Sequence, residues 1–145
     1  MSLQDLHEAI EGFAPPAYPQ AVLPTAHLDF SKTLTITQSQ SQSSPLDLGV
    51  YGLLGVVTPA ALETNTGRLS FQAATASTGT YRDVYVDGNK AFLTCTVAQY
   101  ALVSSHFQAL VRGMRYIKIT AESTTGVAIS QTTTTRVFTA ILTTR

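Results

Sequence analysis

The chain has 145 residues, enough for one domain with a core of its own and too few for two comfortable ones. Charged residues make up 12% of it, about half the usual share of roughly 25%, and nine basic residues balance nine acidic ones. Zero formal net charge gives no field to steer the chain onto nucleic acid or an anionic membrane, so neither is expected as a partner. A lightly charged, neutral surface also resists association poorly, which points to a surface covered in part by other proteins.

Residues 1–30 differ from the rest. Leu3, Leu6, Ile10 and Phe13 share one face of a helix of about three turns, with Ser2 and Asp5 placed to cap its start and Gly12 where it would stop. Such a helix is marginal alone; it packs either on its own domain or on a neighbour. The stretch from Ala14 to Pro24 follows, with Pro15, Pro16, Pro19 and Pro24 around Tyr18. Four prolines block helix and sheet and favour an extended path. Helix and stiff strap together read as an N-terminal arm, leaving residues 31–145 as a β domain.

The β region opens with Lys32-Thr33-Leu34-Thr35-Ile36-Thr37, where Leu34 and Ile36 point one way and the threonines the other. The run from Gln38 to Ser44 is a polar low-complexity loop closed by Pro45. A short strand at Leu46-Asp47-Leu48 precedes the apolar run Val50–Val57, which predicts a strand buried on both faces, with Gly49, Gly52 and Gly55 allowing close backbone approach or a bulge. Ala60-Ala61-Leu62 suggests one turn of helix. Strands are then expected at Arg68–Ala74, Tyr81–Val86 and Ala91–Val97. Asp87-Gly88 between the last two is among the strongest short hairpin signals. Tyr100–Val103 reads as a strand, the segment from Ser104 to Gly113 as a short capped helix, and Met114–Ala121 as a strand. A long C-terminal strand runs from about Thr132 to Thr143, apolar on both faces and therefore central or covered by a partner. About eight strands with turn residues between them predict an all-β, jelly-roll-like antiparallel β-sandwich with an N-terminal helix and proline-rich arm.

The chemistry is sparse. Cys95 is the only cysteine, so neither an internal disulfide nor a thiolate metal cage forms, and its strand context predicts a buried, inert thiol. No stretch is long and apolar enough to span a bilayer, and no basic-then-apolar leader opens the chain, so assembly in a cytoplasm is expected. His7, His27 and His106 are scattered, and no serine sits in a G-x-S-x-G elbow. The best hydrolase constellation is His106 with Asp83 or Asp87 and a serine, and it is weak. Asp83, Asp87 and Asn89 offer oxygens to calcium, but turn chemistry explains them more simply. Glu63 and Glu122 are isolated. No catalytic residue, metal or cofactor is therefore expected, and the chain reads as a non-enzyme.

Binding residues are easier to nominate. Tyr81 and Tyr85 project from one side of a single predicted strand, suited either to a sugar or partner loop or to plain cross-strand packing. Arg112 and Arg115, with Lys118, fit acids across an interface or a solvated edge. Thr132–Thr135 suggests a strand edge open to a further strand.

Five segments together resemble small structural proteins of tailed bacteriophages. They are Leu69-Ser70-Phe71-Gln72-Ala73, Gly79-Thr80-Tyr81-Arg82-Asp83-Val84-Tyr85, Asp87-Gly88-Asn89, Gly113-Met114-Arg115-Tyr116-Ile117-Lys118-Ile119, and the strand Arg136–Leu142. Leu48-Gly49 through Val56-Val57-Thr58-Pro59-Ala60 matches a further "GL-GIV-P-A" segment of that group, so the resemblance spans roughly Asp47 to Leu142 and leaves out the arm. These are turn and core residues, which specify a fold better than a job. The resemblance implies a virion protein on the capsid surface, a cement or decoration protein that binds the major capsid protein and itself as a homodimer or homotrimer. The arm residues Leu3, Leu6, Ile10, Phe13, Pro15, Pro16 and Tyr18, with Tyr81, Tyr85, Arg112 and Arg115, would make the contacts. A carbohydrate- or receptor-binding module of the tail or baseplate is the alternative.

Overall fold

A computed structural model describes residues 30–104 and 114–144. The expected N-terminal helix and arm, with all seven arm contact residues, lie outside the described residues, as do Arg112, the three histidines and most of the short helix after Ser104.

The described chain is all-β and antiparallel. Strands run in the order β1 (Phe30–Ile36), β2 (Leu46–Asp47), β3 (Tyr51–Val57), β4 (Arg68–Ala74), β5 (Arg82–Asp83), β6 (Tyr85–Val86), β7 (Asn89–Lys90), β8 (Phe92–Thr94), β9 (Tyr100–Leu102), β10 (Tyr116–Glu122) and β11 (Arg136–Thr144). One sheet has the order β1-β11-β3-β9; the second has the order β2-β10-β4-β5, with β8 also pairing β4; β6 and β7 form a separate ribbon. Consecutive strands mostly alternate between the two sheets. Neighbours within a sheet are therefore far apart in sequence, as in Leu34 opposite Phe138 and Phe71 opposite Ile119.

The core lies between the sheets. Period-two alternation, broken by one extra residue between Leu53 and Val56, aims Leu34 and Ile36, Leu53 and Val56, and Phe138, Ala140 and Leu142 inward from the first sheet, and Leu69, Phe71, Ile117, Ile119 and Ala121 from the second. All are essentially inaccessible to water. Each large side chain so buried contributes about 1.5–3 kcal/mol, and this inward set fixes the register, because a slip of one residue would turn it out to solvent.

Two turn devices read from the sequence hold. Asp87 (φ 50°) and Gly88 (φ 81°) both take left-handed backbone and close the β6–β7 hairpin. The β3–β11 register shifts at Ile141/Leu142, where Leu54 is the extra residue, and a side chain at neighbouring Gly55 would meet the Ala101 carbonyl at 2.8 Å.

Other expectations are corrected. Tyr81–Val86 is not one strand: it breaks at buried Val84, so Arg82–Asp83 pairs with β4 while Tyr85–Val86 pairs with β7. Ala91–Val97 shortens to Phe92–Thr94, since Ala91 and Cys95 turn into the core on either side. Residues 60–62 are irregular rather than helical. The run from Val50 to Val57 is not buried on both faces: Val50 is 74% exposed, and Leu54 and Val57 are only partly covered. The C-terminal strand begins at Arg136 and is central, between β1 and β3. Thr132–Thr135 is a loop and offers no edge. Glu63 holds it: Thr132 Oγ1 and Thr133 Oγ1 each donate to the carboxylate at 3.0 Å.

Candidate interaction surface

The two outer faces have opposite chemistry. On the second sheet, the outward positions of β4 and β10 form cross-strand rows: Arg68 with Glu122, Ser70 with Thr120, Gln72 with Lys118. Glu122 sits at the head of these rows and is only 2% exposed. Its Oε1 accepts from Lys90 Nζ at 2.9 Å and from the Ser70 hydroxyl, and its Oε2 accepts from Arg68 Nε at 3.0 Å. The Arg68 guanidinium in turn lies over the Phe92 ring at 4.2 Å. Burial pushes the Glu122 carboxyl up, but the bonds from Ser70, Lys90 and Arg68 outweigh it and hold the group below the ordinary glutamate range. The bond to Glu122 likewise raises Lys90, against the opposing effect of burial.

Of the nominated binding residues, Tyr81 and Arg115 are already engaged with neighbours, as are Asp83 and Lys118. Asp83 Oδ1 accepts from Gln72 Nε2 at 2.9 Å, and its other oxygen lies 3.7 Å from Lys90 Nζ. Lys118 Nζ stands over the Tyr81 ring at 4.3 Å, and Tyr81 donates its hydroxyl to the Ser77 carbonyl at 2.9 Å. Arg115 forms a two-point pair with Asp47, Nε to Oδ1 at 3.2 Å and Nη2 to Oδ2 at 3.3 Å. That pair and the Gly49 N–H lower the Asp47 pKa. Tyr85 is 57% exposed on the β6–β7 ribbon. Tyr81 lies just before β5 while Tyr85, beyond the break at Val84, belongs to the β6–β7 ribbon, so the two do not project from one strand as their spacing suggested. No group of three or more His, Cys, Asp or Glu side chains placed to hold a metal occurs among the described residues. Cys95 is buried, and burial pushes its thiol up to about 11.

The outer face of the first sheet carries no carboxylate, ammonium or guanidinium among the described residues. Its rows are Thr35 beside Val137; Thr33, Thr139, Val57 and Tyr100; and Ser31, Ile141, Gly55 and Leu102. Tyr100 is 72% exposed, Leu102 64% and Val137 52%. Leu102 lies flat across Gly55, its side chain 3.0 Å from where a Cβ would stand. Among the described residues charge is thus confined to the second sheet and the rims, where much of it is paired. Sequence reasoning missed this face because it depends on which strands are neighbours. The threonines of β1 and the outward half of β11 were its only local signals.

No family model and no curated protein matches the chain. Among solved structures, that of the SPBc2 prophage-derived protein YomS is similar over 80% of this chain and 96% of that one, at 10% sequence identity and a TM-score of 0.45.

Proposed function

We propose that this chain is a virion structural protein of a tailed bacteriophage, a cement or decoration protein that binds the capsid lattice and stabilises it. The observation that carries the reading is the segregation of charge. One sheet face carries ion pairs, while the other, among the described residues, is apolar, rich in threonine and free of charge, as expected of a surface whose normal neighbour is protein.

The strand order supports a jelly-roll architecture. Counting β5 to β8 as one interrupted strand gives eight, ordered 1-8-3-6 in one sheet and 2-7-4-5 in the other, the interleaving that two wrapped Greek keys produce. The sequence resemblance, which runs from Asp47 to Leu142, supplies the phage context. Cementing is linkage: a protein that binds only the assembled lattice stabilises it by mass action. The arm (Leu3, Leu6, Ile10, Phe13, Pro15, Pro16, Tyr18) is assigned to the major capsid protein. In the β domain, exposed Tyr85 is the best of the nominated contacts, since Arg115 is already paired with Asp47.

The test is to mix the purified full chain with shells of the parent phage that lack it, sediment them and melt them. Saturable uptake in many copies per shell, with a higher shell melting temperature, supports the reading. A saturable glycan signal from the isolated protein without shell uptake supports the carbohydrate-binding alternative instead.

A further inference from the structure

We infer that a second copy of this chain covers the outer face of the first sheet, packed sheet against sheet about a two-fold axis. The inference rests on the function proposed above and names the partner of the uncharged face. A charged partner would leave its charges buried without counter-ions against Val137, Ile141, Val57, Tyr100 and Leu102, which is costly. The described residues of a second copy bring none there. With zero net charge on each copy, no long-range repulsion opposes the approach. The face suits such packing geometrically, because β-branched and small outward side chains interdigitate between sheets about 10 Å apart. A two-fold contact is also self-complementary, so it closes at two copies instead of running on as a fibre.

The area is modest. Strands of 7, 9, 7 and 3 residues, about 4.8 Å apart, give a footprint of about 400 Å² per copy. Two copies bury about 800 Å² before side-chain relief is counted, below the roughly 1,000 Å² of a stable specific interface and in the range of weak ones. A weak, concentration-dependent dimer follows, with Tyr100 and Leu102 as its anchors. Its use is bivalency: a dimer carries two arms, and two arms on one lattice bind far more tightly than one.

The test is sedimentation velocity on the full 145-residue chain at rising concentration, up to about 100 µM, beside the single variants Val137→Lys and Leu102→Lys. Both positions are more than half exposed, so the variants should keep the wild-type melting curve. The expected result is a monomer–dimer equilibrium weakened at least about tenfold by either lysine. Three results overturn the inference: a wild type that stays monomeric throughout, a dimer indifferent to both lysines, or a dimer that appears only after Met1–Pro24 is deleted, which would make the chain's own arm the occupant. The shell assay reports separately. Monomeric protein that still loads shells refutes the dimer and leaves the function standing, whereas dimeric protein that ignores shells does the reverse.

Discussion

Arg68 and Glu122 stand directly opposite each other on β4 and β10, 54 residues apart in sequence, with the guanidinium Nε 3.0 Å from the carboxylate. Lys90 from the β6–β7 ribbon and Ser70 from β4 complete the shell around the same carboxylate. Strand β4 and the separate β6–β7 ribbon are thus both tied to one buried acid on β10.

Removing that acid's charge should therefore destabilise the whole domain. Glu122→Gln leaves Arg68 and Lys90 facing a neutral amide in a covered site, at a cost of about 3 kcal/mol. For a chain of this length, that corresponds to a melting temperature lower by roughly 10 °C. Thermal denaturation by circular dichroism checks it; a shift under about 2 °C would mean the cluster is solvated and unimportant.

The same group sets an acid limit. The folded-state pKa of Glu122 is depressed, so its contribution is complete above the unfolded-state value near 4.3 and is lost as pH falls through the lower folded-state value. Glu63, lowered by its bonds from Thr132 and Thr133, and Asp47, lowered by Arg115, act in the same direction. Lys90 is raised, so its contribution is complete below its unfolded-state value near 10.4 and is lost as pH rises through the higher folded-state one. Urea midpoints across pH should hold level through neutrality and drop below about pH 4, and Glu122→Gln should flatten the acid limb.

Gly55 should not accept a side chain. A Cβ there meets the Ala101 carbonyl at 2.8 Å and the Leu102 Cα at 3.2 Å, both backbone atoms of the edge strand β9. Gly55→Ala is expected to push β9 off β3 and cost about 1–3 kcal/mol, whereas alanine at exposed Val50 should cost little. Hydrogen exchange at Ala101 and Val103, whose neighbours on β3 would move, locates the effect.

Cys95 should be silent to thiol reagents. It is buried and its pKa is raised to about 11, so at pH 8 almost no thiolate is present at the surface. Labelling in native buffer should be slower by orders of magnitude than in denaturant; prompt labelling of the native protein would place the thiol outside the core.

The strands were legible in the sequence wherever apolar alternation was local. Leu34 and Ile36, Leu69 and Phe71, and Ile117 and Ile119 each announce an inward face. Asp87-Gly88 announced its turn for a steric reason that needs no context. What could not be read was pairing. Glu122 looks isolated because its partners Arg68 and Lys90 arrive from other strands, and the broken strand at Val84 arises because a core position forms there, which ends the Tyr81–Tyr85 alternation. Thr132–Thr135 has the composition of an edge strand but is held as a loop by Glu63, 69 residues away at Thr132. The uncharged face is the same kind of fact: it exists only once β1, β11, β3 and β9 lie side by side.

Deleting Met1–Pro24 should leave the β domain folded, since the described core uses no residue before Leu34. The truncated chain should melt cooperatively within a few degrees of the full chain, yet lose most of its binding to shells.

The central claim, that this chain is a protein-gripping scaffold for a capsid, is tested most directly by copy number and shell stability in one experiment. Shells of the parent phage, with and without the full chain, are weighed for bound copies and then heated. The account predicts a stoichiometric, lattice-wide copy number and a higher melting temperature of loaded shells. No binding at concentrations well above that of the lattice sites, with shell melting unchanged, would contradict it.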